Sequence, residues 1–138
     1  MADPHISPLA RLIGTWTVTG GAEGTVTYRW LAGEHFLVQD IALTQNGQPV
    51  HGVEIIGRER PFGAEEPEED IRSRYYDSQG NTFTYVYEPD GETLTIWGGE
   101  KGSPAFYRGT FSADGNVLDG AWTYPGGGGY ASTMTRQA

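Results

Sequence analysis

No cysteine occurs anywhere in the 138 residues. That excludes disulfide staples, thiolate metal sites and a thiol nucleophile, so the fold must stand on packing alone. Positive charge is scarce too: nine Lys plus Arg against eighteen Asp plus Glu give a formal charge of −9, which repels phosphate backbones and anionic lipid surfaces. Neither nucleic acid nor a membrane is therefore an expected partner. Long apolar runs are also missing. The opening MADPHISPLARLIG lacks a basic stretch followed by an apolar run of signal-peptide length, and no segment approaches the roughly 20 apolar residues of a membrane span. These features point to a cytoplasmic protein. Histidine is limited to His5, His35 and His51, whose spacing matches no zinc pattern. The acidic run 65-EEPEED-70 lacks the ligand spacing of a calcium loop and reads as a hydrated loop. No metal and no cofactor is expected.

What the chain does have is punctuation. Its 21 glycines and 8 prolines fall between runs rich in Thr, Val, Ile, Tyr, Phe and Trp, the mark of short strands and turns. Residues 8 to 13 allow about one helical turn, with Ser7 as N-cap and Pro8 at the first helical position. Beyond them the candidate strands are 14–19, 24–30, 34–44, 49–59, 71–77, 81–88, 92–98, 104–112, 116–124 and 129–135. The length suits one domain: residues 1–7 as a tail and 8–138 as a single barrel. The expected fold is all-β, an antiparallel up-and-down barrel of 8 to 10 strands with a short N-terminal helix, since closure removes exposed edges.

Turn chemistry fixes register, and register fixes which side chains share a face. A two-residue Asn46-Gly47 loop sets Gln39 opposite Glu54, Leu37 opposite Ile56 and His35 opposite Arg58. An Ala32-Gly33 turn sets Trp30 opposite His35 and Tyr28 opposite Leu37, so Val26, Tyr28, Trp30, Leu37, Gln39, Ile41, Glu54 and Ile56 share the inner face. Asp90-Gly91 pairs Tyr87 with Leu94 and Tyr85 with Ile96, and Asp114-Gly115 pairs Phe111 with Leu118 and Tyr107 with Trp122. For 71–88, a two- or four-residue loop brings Arg72, Arg74 and Tyr76 onto the face of Phe83, Tyr85 and Tyr87, whereas a three-residue loop reverses it. His35 and His51 fall on opposite faces, and Asp40 and His51 become diagonal neighbours suited to a surface ion pair.

The segments LIGTW, GTVTYRWLAGEHFLVQD, HGVEIIGRER, YYDSQGN and GTFSADGNVLDGAW together resemble an uncharacterised bacterial family of lipocalin-like proteins within the calycins. That resemblance covers about residues 9 to 136. It implies a calycin-like barrel and brings no catalytic residues. Nitrobindin-type haem barrels have an opening similar to PLARLIGTW, but the histidine near the C-terminus that ligates their iron has no counterpart in 129-GYASTMTRQ-137.

An inner face this aromatic, with a few convergent polar groups, is the usual makeup of a ligand pocket. The expected function is binding of a small apolar or amphipathic molecule. Tyr28, Trp30, Tyr85, Tyr87, Tyr107 and Trp122 would supply the walls, with Gln39, Glu54 and Arg74 setting orientation; Arg and Tyr together would suit a carboxylate or phosphate head. The loops 98–105 and 124–130 would be mobile and border the entrance. Two further readings stay open. One is a cofactor-free isomerase, cyclase or dehydratase acting on a biosynthetic intermediate, with Glu54 as catalytic acid or base. The other is an interaction module with a filled core. Oligomeric state is open, a homodimer being one option. Trp16, with Val18 facing the same way, is expected across the closed end of the barrel.

Overall fold

The computed structural model describes residues 4–138; residues 1–3 of the expected tail lie outside the described residues. A 3-10 helix, Ser7–Leu12, leads into ten strands: β1 Gly14–Gly20, β2 Ala22–Trp30, β3 Phe36–Gln45, β4 Gln48–Gly57, β5 Ile71–Asp77, β6 Thr82–Asp90, β7 Thr93–Gly98, β8 Phe106–Phe111, β9 Val117–Thr123 and β10 Gly129–Arg136. Each strand pairs antiparallel with its neighbours in sequence, and β1 closes the cylinder against β10. The result is a closed up-and-down barrel with no free edge. Among the described residues no helix is long and apolar enough to cross a membrane.

Most inner faces follow the expected turns. At Asn46-Gly47 both residues take positive φ (53° and 76°) between paired Gln45 and Gln48, the two-residue hairpin geometry an Asn-Gly pair favours. Gln39 therefore sits opposite Glu54 and Leu37 opposite Ile56. Phe36 opposite Gly57 is the last pair of this ladder, so His35 lies in the preceding loop and not opposite Arg58. Tyr107 opposes Trp122 and Phe111 opposes Leu118, although the connection is a longer loop between Ser112 and Val117.

Two registers differ by two residues. The β2–β3 connection closes with Leu31 N–H donating to Phe36 O, so Trp30 opposes Leu37 and Tyr28 opposes Gln39. At β6–β7 the loop residues are Gly91 and Glu92, so Tyr87 opposes Ile96 and Tyr85 opposes Gly98. An even shift preserves the pleat, and the same side chains still point inward.

The β5–β6 hairpin is different. Tyr76 pairs with Thr82, Asp77 N–H donates to Asn81 O, and residues 78 to 80 form a three-residue loop with Gly80 at φ 85°. This odd count turns Ile71, Ser73 and Tyr75 inward opposite Tyr87, Tyr85 and Phe83. Arg72, Arg74 and Tyr76 face outward.

The helix plugs one end. Ile6, Leu9, Leu12 and Trp16 are fully or almost fully buried there with Leu37 and Ile56. Ser7 is the first residue of the helix and not its cap: its hydroxyl donates to Pro4 O, and Ile6 occupies the cap position. Strand direction follows from this plug. The turns after β1, β3, β5, β7 and β9 gather at the opposite, open end. Between the ends, Gly109 and Gly120 face each other across β8 and β9. A Cβ at Gly120 would stand 2.7 Å from the Tyr107 hydroxyl; the missing side chains are what let that phenol lie along the inner wall.

Candidate functional site

A cavity of about 590 Å³ opens at the unplugged end. Its walls below the rim are aliphatic: Val26, Ile41, Leu94, Ile96, Leu118 and Met134. One polar cluster interrupts them. Glu54 on β4 is 5% exposed and Gln39 on β3 is 7% exposed; Gln39 Nε2 donates to Glu54 Oε1 and the Tyr87 hydroxyl donates to Oε2, both at 2.8 Å. The strand register makes this arrangement, because Gln39 and Glu54 are cross-strand partners and β6, one strand beyond β5, brings in Tyr87.

Burial is the largest influence on Glu54 and raises its pKa above the ordinary carboxylate value; Ser73, Tyr87 and Gln39 pull it part of the way back. Ser73 is fully buried, and its hydroxyl oxygen has no hydrogen-bond partner. Its pull on Glu54 is therefore one of proximity. Tyr28 and Tyr87, also buried and close to this carboxylate, are pushed well above the usual phenol pKa by desolvation and then by the Glu54 charge. They remain neutral donors or acceptors at any physiological pH.

The rim is aromatic. Tyr75 lies 5.7 Å from Phe83, Phe83 6.1 Å from Tyr85, Tyr85 5.8 Å from Trp122, and Trp122 5.5 Å from Tyr107 (centroid distances). Tyr124 stacks on Trp122 with an interplanar angle of 11°, and Tyr130 packs next to Tyr124. At the tip of β5, Asp77 accepts bonds from the Tyr75 hydroxyl and from the backbone N–H groups of Gln79 and Asn81. Burial pushes the Asp77 carboxyl up, and the Asn81, Tyr75 and Gln79 bonds together outweigh it and hold the pKa below its ordinary value.

Seven of the nine residues expected to bind ligand line the cavity: Tyr28, Gln39, Glu54, Tyr85, Tyr87, Tyr107 and Trp122. Two do not. Arg74 is on the outer surface in a forked bond to Glu59, Nε to Oε2 at 2.7 Å and Nη2 to Oε1 at 3.0 Å. Trp30 is half-buried near the plugged end, opposite Leu37 and away from the cavity. Both differences have local causes, the odd loop at 78–80 and the position of Trp30 at the end of β2.

The inner positions that sequence reasoning missed, Ser73, Tyr75 and Asp77, belong to the same reversed strand, and Tyr124 and Tyr130 flank the glycine-rich connection. The motif 77-DSQGN-81 carried the signal: an Asp that accepts from backbone N–H groups two and four residues on, with glycine at the positive-φ position, is the chemistry of a three-residue hairpin loop.

The loop between β7 and β8 folds down the outside of the barrel. Arg72 donates to Gly99 O and pairs with Glu100 at 3.3 Å, while Lys101 pairs with Glu88 at 3.6 Å and Asp70 at 3.8 Å. Only its ends, Gly98 and Ala105, reach the cavity. The expected mobile border is, on this side, a strapped loop. Asp40 pairs with Arg29 at 3.5 Å in place of His51. Among the described residues no three His, Asp or Glu side chains cluster in a way that could hold a metal ion.

Sequence comparison matches this chain to no family model and to no curated protein. Among solved structures it is similar to a de novo designed fluorescence-activating β-barrel, at 16% identity over 93% of this chain and 95% of that one, with a TM-score of 0.48.

Proposed function

We propose that the protein is a lipocalin-like carrier or receptor for one small apolar or amphipathic molecule, which enters between the rim aromatics and turns its polar end to Glu54, Gln39 and Tyr87. The observation that carries this reading is the cavity of about 590 Å³ with the Glu54, Gln39 and Tyr87 cluster buried among mostly aliphatic and aromatic walls and further polar groups towards its mouth. That volume lies within the range of ordinary ligand pockets, roughly 300 to 1,000 Å³. A barrel serving only as an interaction module has no need to keep such a space, since voids forfeit packing energy. A bacterial, cytoplasmic setting and membership of the lipocalin-like calycins, suggested by the LIGTW opening and the ordered segments after it, belong to the same proposal.

The test is titration with an environment-sensitive apolar dye. Saturable binding is expected in the natural protein. Ile96→Trp, which adds an indole where the half-buried Ile96 faces the lumen between Tyr87 and Tyr107, should abolish it while circular dichroism keeps its β signature. Equal binding by both proteins would put the dye elsewhere and sink the reading.

An enzymatic reading is favoured by one observation, a buried carboxyl group beside the cavity whose pKa is raised by desolvation, the chemistry of a group that gives or takes a proton. Its natural partners in proton transfer would be Tyr28 and Tyr87, and burial drives both away from the range where phenols exchange protons. That asymmetry favours binding over turnover. Glu54→Gln discriminates: a carrier keeps its affinity for neutral ligands, whereas an isomerase, cyclase or dehydratase relying on Glu54 loses turnover with KM little changed.

A further inference from the structure

All nine basic side chains of the chain are accounted for, and none lines the cavity. Arg29 and Arg74 pair with Asp40 and Glu59 on the outer surface. Arg72 and Lys101 strap down the β7–β8 connection. Arg108 lies over the outward rings of Trp97 and Phe106. Arg11 and Arg136 belong to the plugged end, over Phe111 and Trp16, and Arg58 and Arg60 belong to the β4–β5 connection. No histidine lines the cavity either. The ionisable carboxyl groups that do are Glu54, deep inside, and Asp77, at the rim.

Hydrogen-bond polarity at the cluster points the same way. An ionised carboxylate offers about four acceptor directions, and Gln39 and Tyr87 occupy one on each oxygen of Glu54. Gln39 spends an N–H on Glu54 and so keeps its carbonyl oxygen as an acceptor; Tyr87 spends its only proton there and keeps a phenolic oxygen. The cluster therefore offers an incoming donor several acceptor positions on Glu54, Gln39 and Tyr87, beside the second N–H of Gln39 and the Tyr28 hydroxyl. Above it stand the rings of Tyr85, Tyr107 and Trp122, whose π faces attract cations. Asp77 is committed to Tyr75 and to its own loop, and it adds negative charge to the mouth of a protein that already carries −9.

Resting on the binding reading above, we infer that the ligand of this barrel is a protonated amine on an apolar or aromatic frame, its ammonium group seated against Glu54 and Gln39 and its frame held by the ring of aromatics. A fatty acid or other organic anion finds no cation in this cavity and meets instead the carboxyl groups of Glu54 and Asp77.

Three probes on one naphthylethyl frame test this, naphthylethylamine, naphthylethanol and naphthylpropionic acid, titrated calorimetrically into the natural protein at neutral pH. The amine is expected to bind about tenfold or more tighter than the alcohol, a gain in line with one charge-assisted hydrogen bond plus cation-π contact, and the acid weakest. Glu54→Gln should bring the amine down to the affinity of the alcohol and leave the alcohol within a few-fold. The wild-type series stands alone if that variant does not fold. Acid or alcohol binding as tightly as the amine overturns the assignment of charge while leaving lumen binding intact. Failure of all three, together with failure of the neutral dye, removes both readings.

Discussion

The guanidinium of Arg136, near the end of the last strand, lies 4.2 Å from the centroid of the Trp16 indole on the first. The same guanidinium donates from Nη1 to Ile13 O and from Nη2 to Arg11 O, each at 2.6 Å, and from Nε to Asn116 Oδ1 at 3.0 Å. Trp16 is fully buried and donates its indole N–H to Leu12 O at 2.8 Å. The two side chains thus hold the N-terminal helix, the β8–β9 loop and the β1–β10 seam together at one point. A planar fork with several donors and a polarizable face suits this role in a way an ammonium does not.

Trp16→Ala should cost about 3 to 5 kcal/mol, the usual penalty for emptying a buried aromatic site. Arg136→Ala should cost about 2 to 4 kcal/mol, because it leaves the carbonyls of Ile13 and Arg11 without these donors, and Arg136→Lys should recover only part of that. Urea denaturation of the three variants is the measurement. A shift in midpoint smaller for Trp16→Ala than for an outer-surface control such as Arg29→Ala would contradict the role assigned to the pair.

Arg74 gives the sharpest contrast between sequence and structure. A residue pointing into the lumen would set ligand affinity, whereas one tied to Glu59 on the outside should not. Arg74→Ala is expected to leave dye and amine binding unchanged and to alter stability little, since its guanidinium is exposed and screened by solvent. Calorimetric titration of the variant checks it, and a clear loss of affinity would return Arg74 to the cavity.

That contrast shows what a single sequence carries and where it stops. All ten strands were legible, because alternation and turn residues are local signals. Gln39 and Glu54 were legible as a pair because Asn46-Gly47 specifies its own geometry, with both residues at positive φ. Errors of two residues at Ala32-Gly33 and Asp90-Gly91 did no harm to the faces. The odd count at Ser78 to Gly80 exchanged Arg72 and Arg74 for Ser73 and Tyr75, and with them the electrostatic sign of the cavity. Parity was the decisive quantity here, and it is set by the length of the loop, which only the positions of Asp77 and Gly80 signal.

Glu54 makes stability depend on pH. Its pKa is raised in the folded protein, so the folded state holds a proton that the unfolded chain, with a value near 4.5, has begun to release. The contribution is fully present below the unfolded value and is lost as pH rises from there through the folded value. Asp77, Asp114 and Glu59 are shifted the other way, and their contributions vanish only as pH falls below the ordinary carboxylate range. Above it they are ionised in both states and add no slope. Denaturation midpoints should therefore decline as pH rises above about 4.5 and then level off. Glu54→Gln should flatten the decline; an unchanged slope in that variant would assign it to another group.

Trp122 completes the comparison with Trp16. It opposes Tyr107, packs against Tyr85 and stacks with Tyr124, but it borders open space instead of filling a sealed plug. Because part of its surface faces the cavity in the free protein, Trp122→Ala removes less packing than Trp16→Ala and should cost clearly less stability. Because that same surface is what a bound frame would cover, the substitution should weaken binding of the amine probe by about tenfold or more, the scale of losing one aromatic contact and the apolar area beneath it. Paired denaturation and calorimetric titrations on the two variants give four numbers. The division into plug and mouth requires the larger stability loss at Trp16 and the affinity loss at Trp122, and equal affinity before and after Trp122→Ala would mean that the rim aromatics are not where the ligand sits.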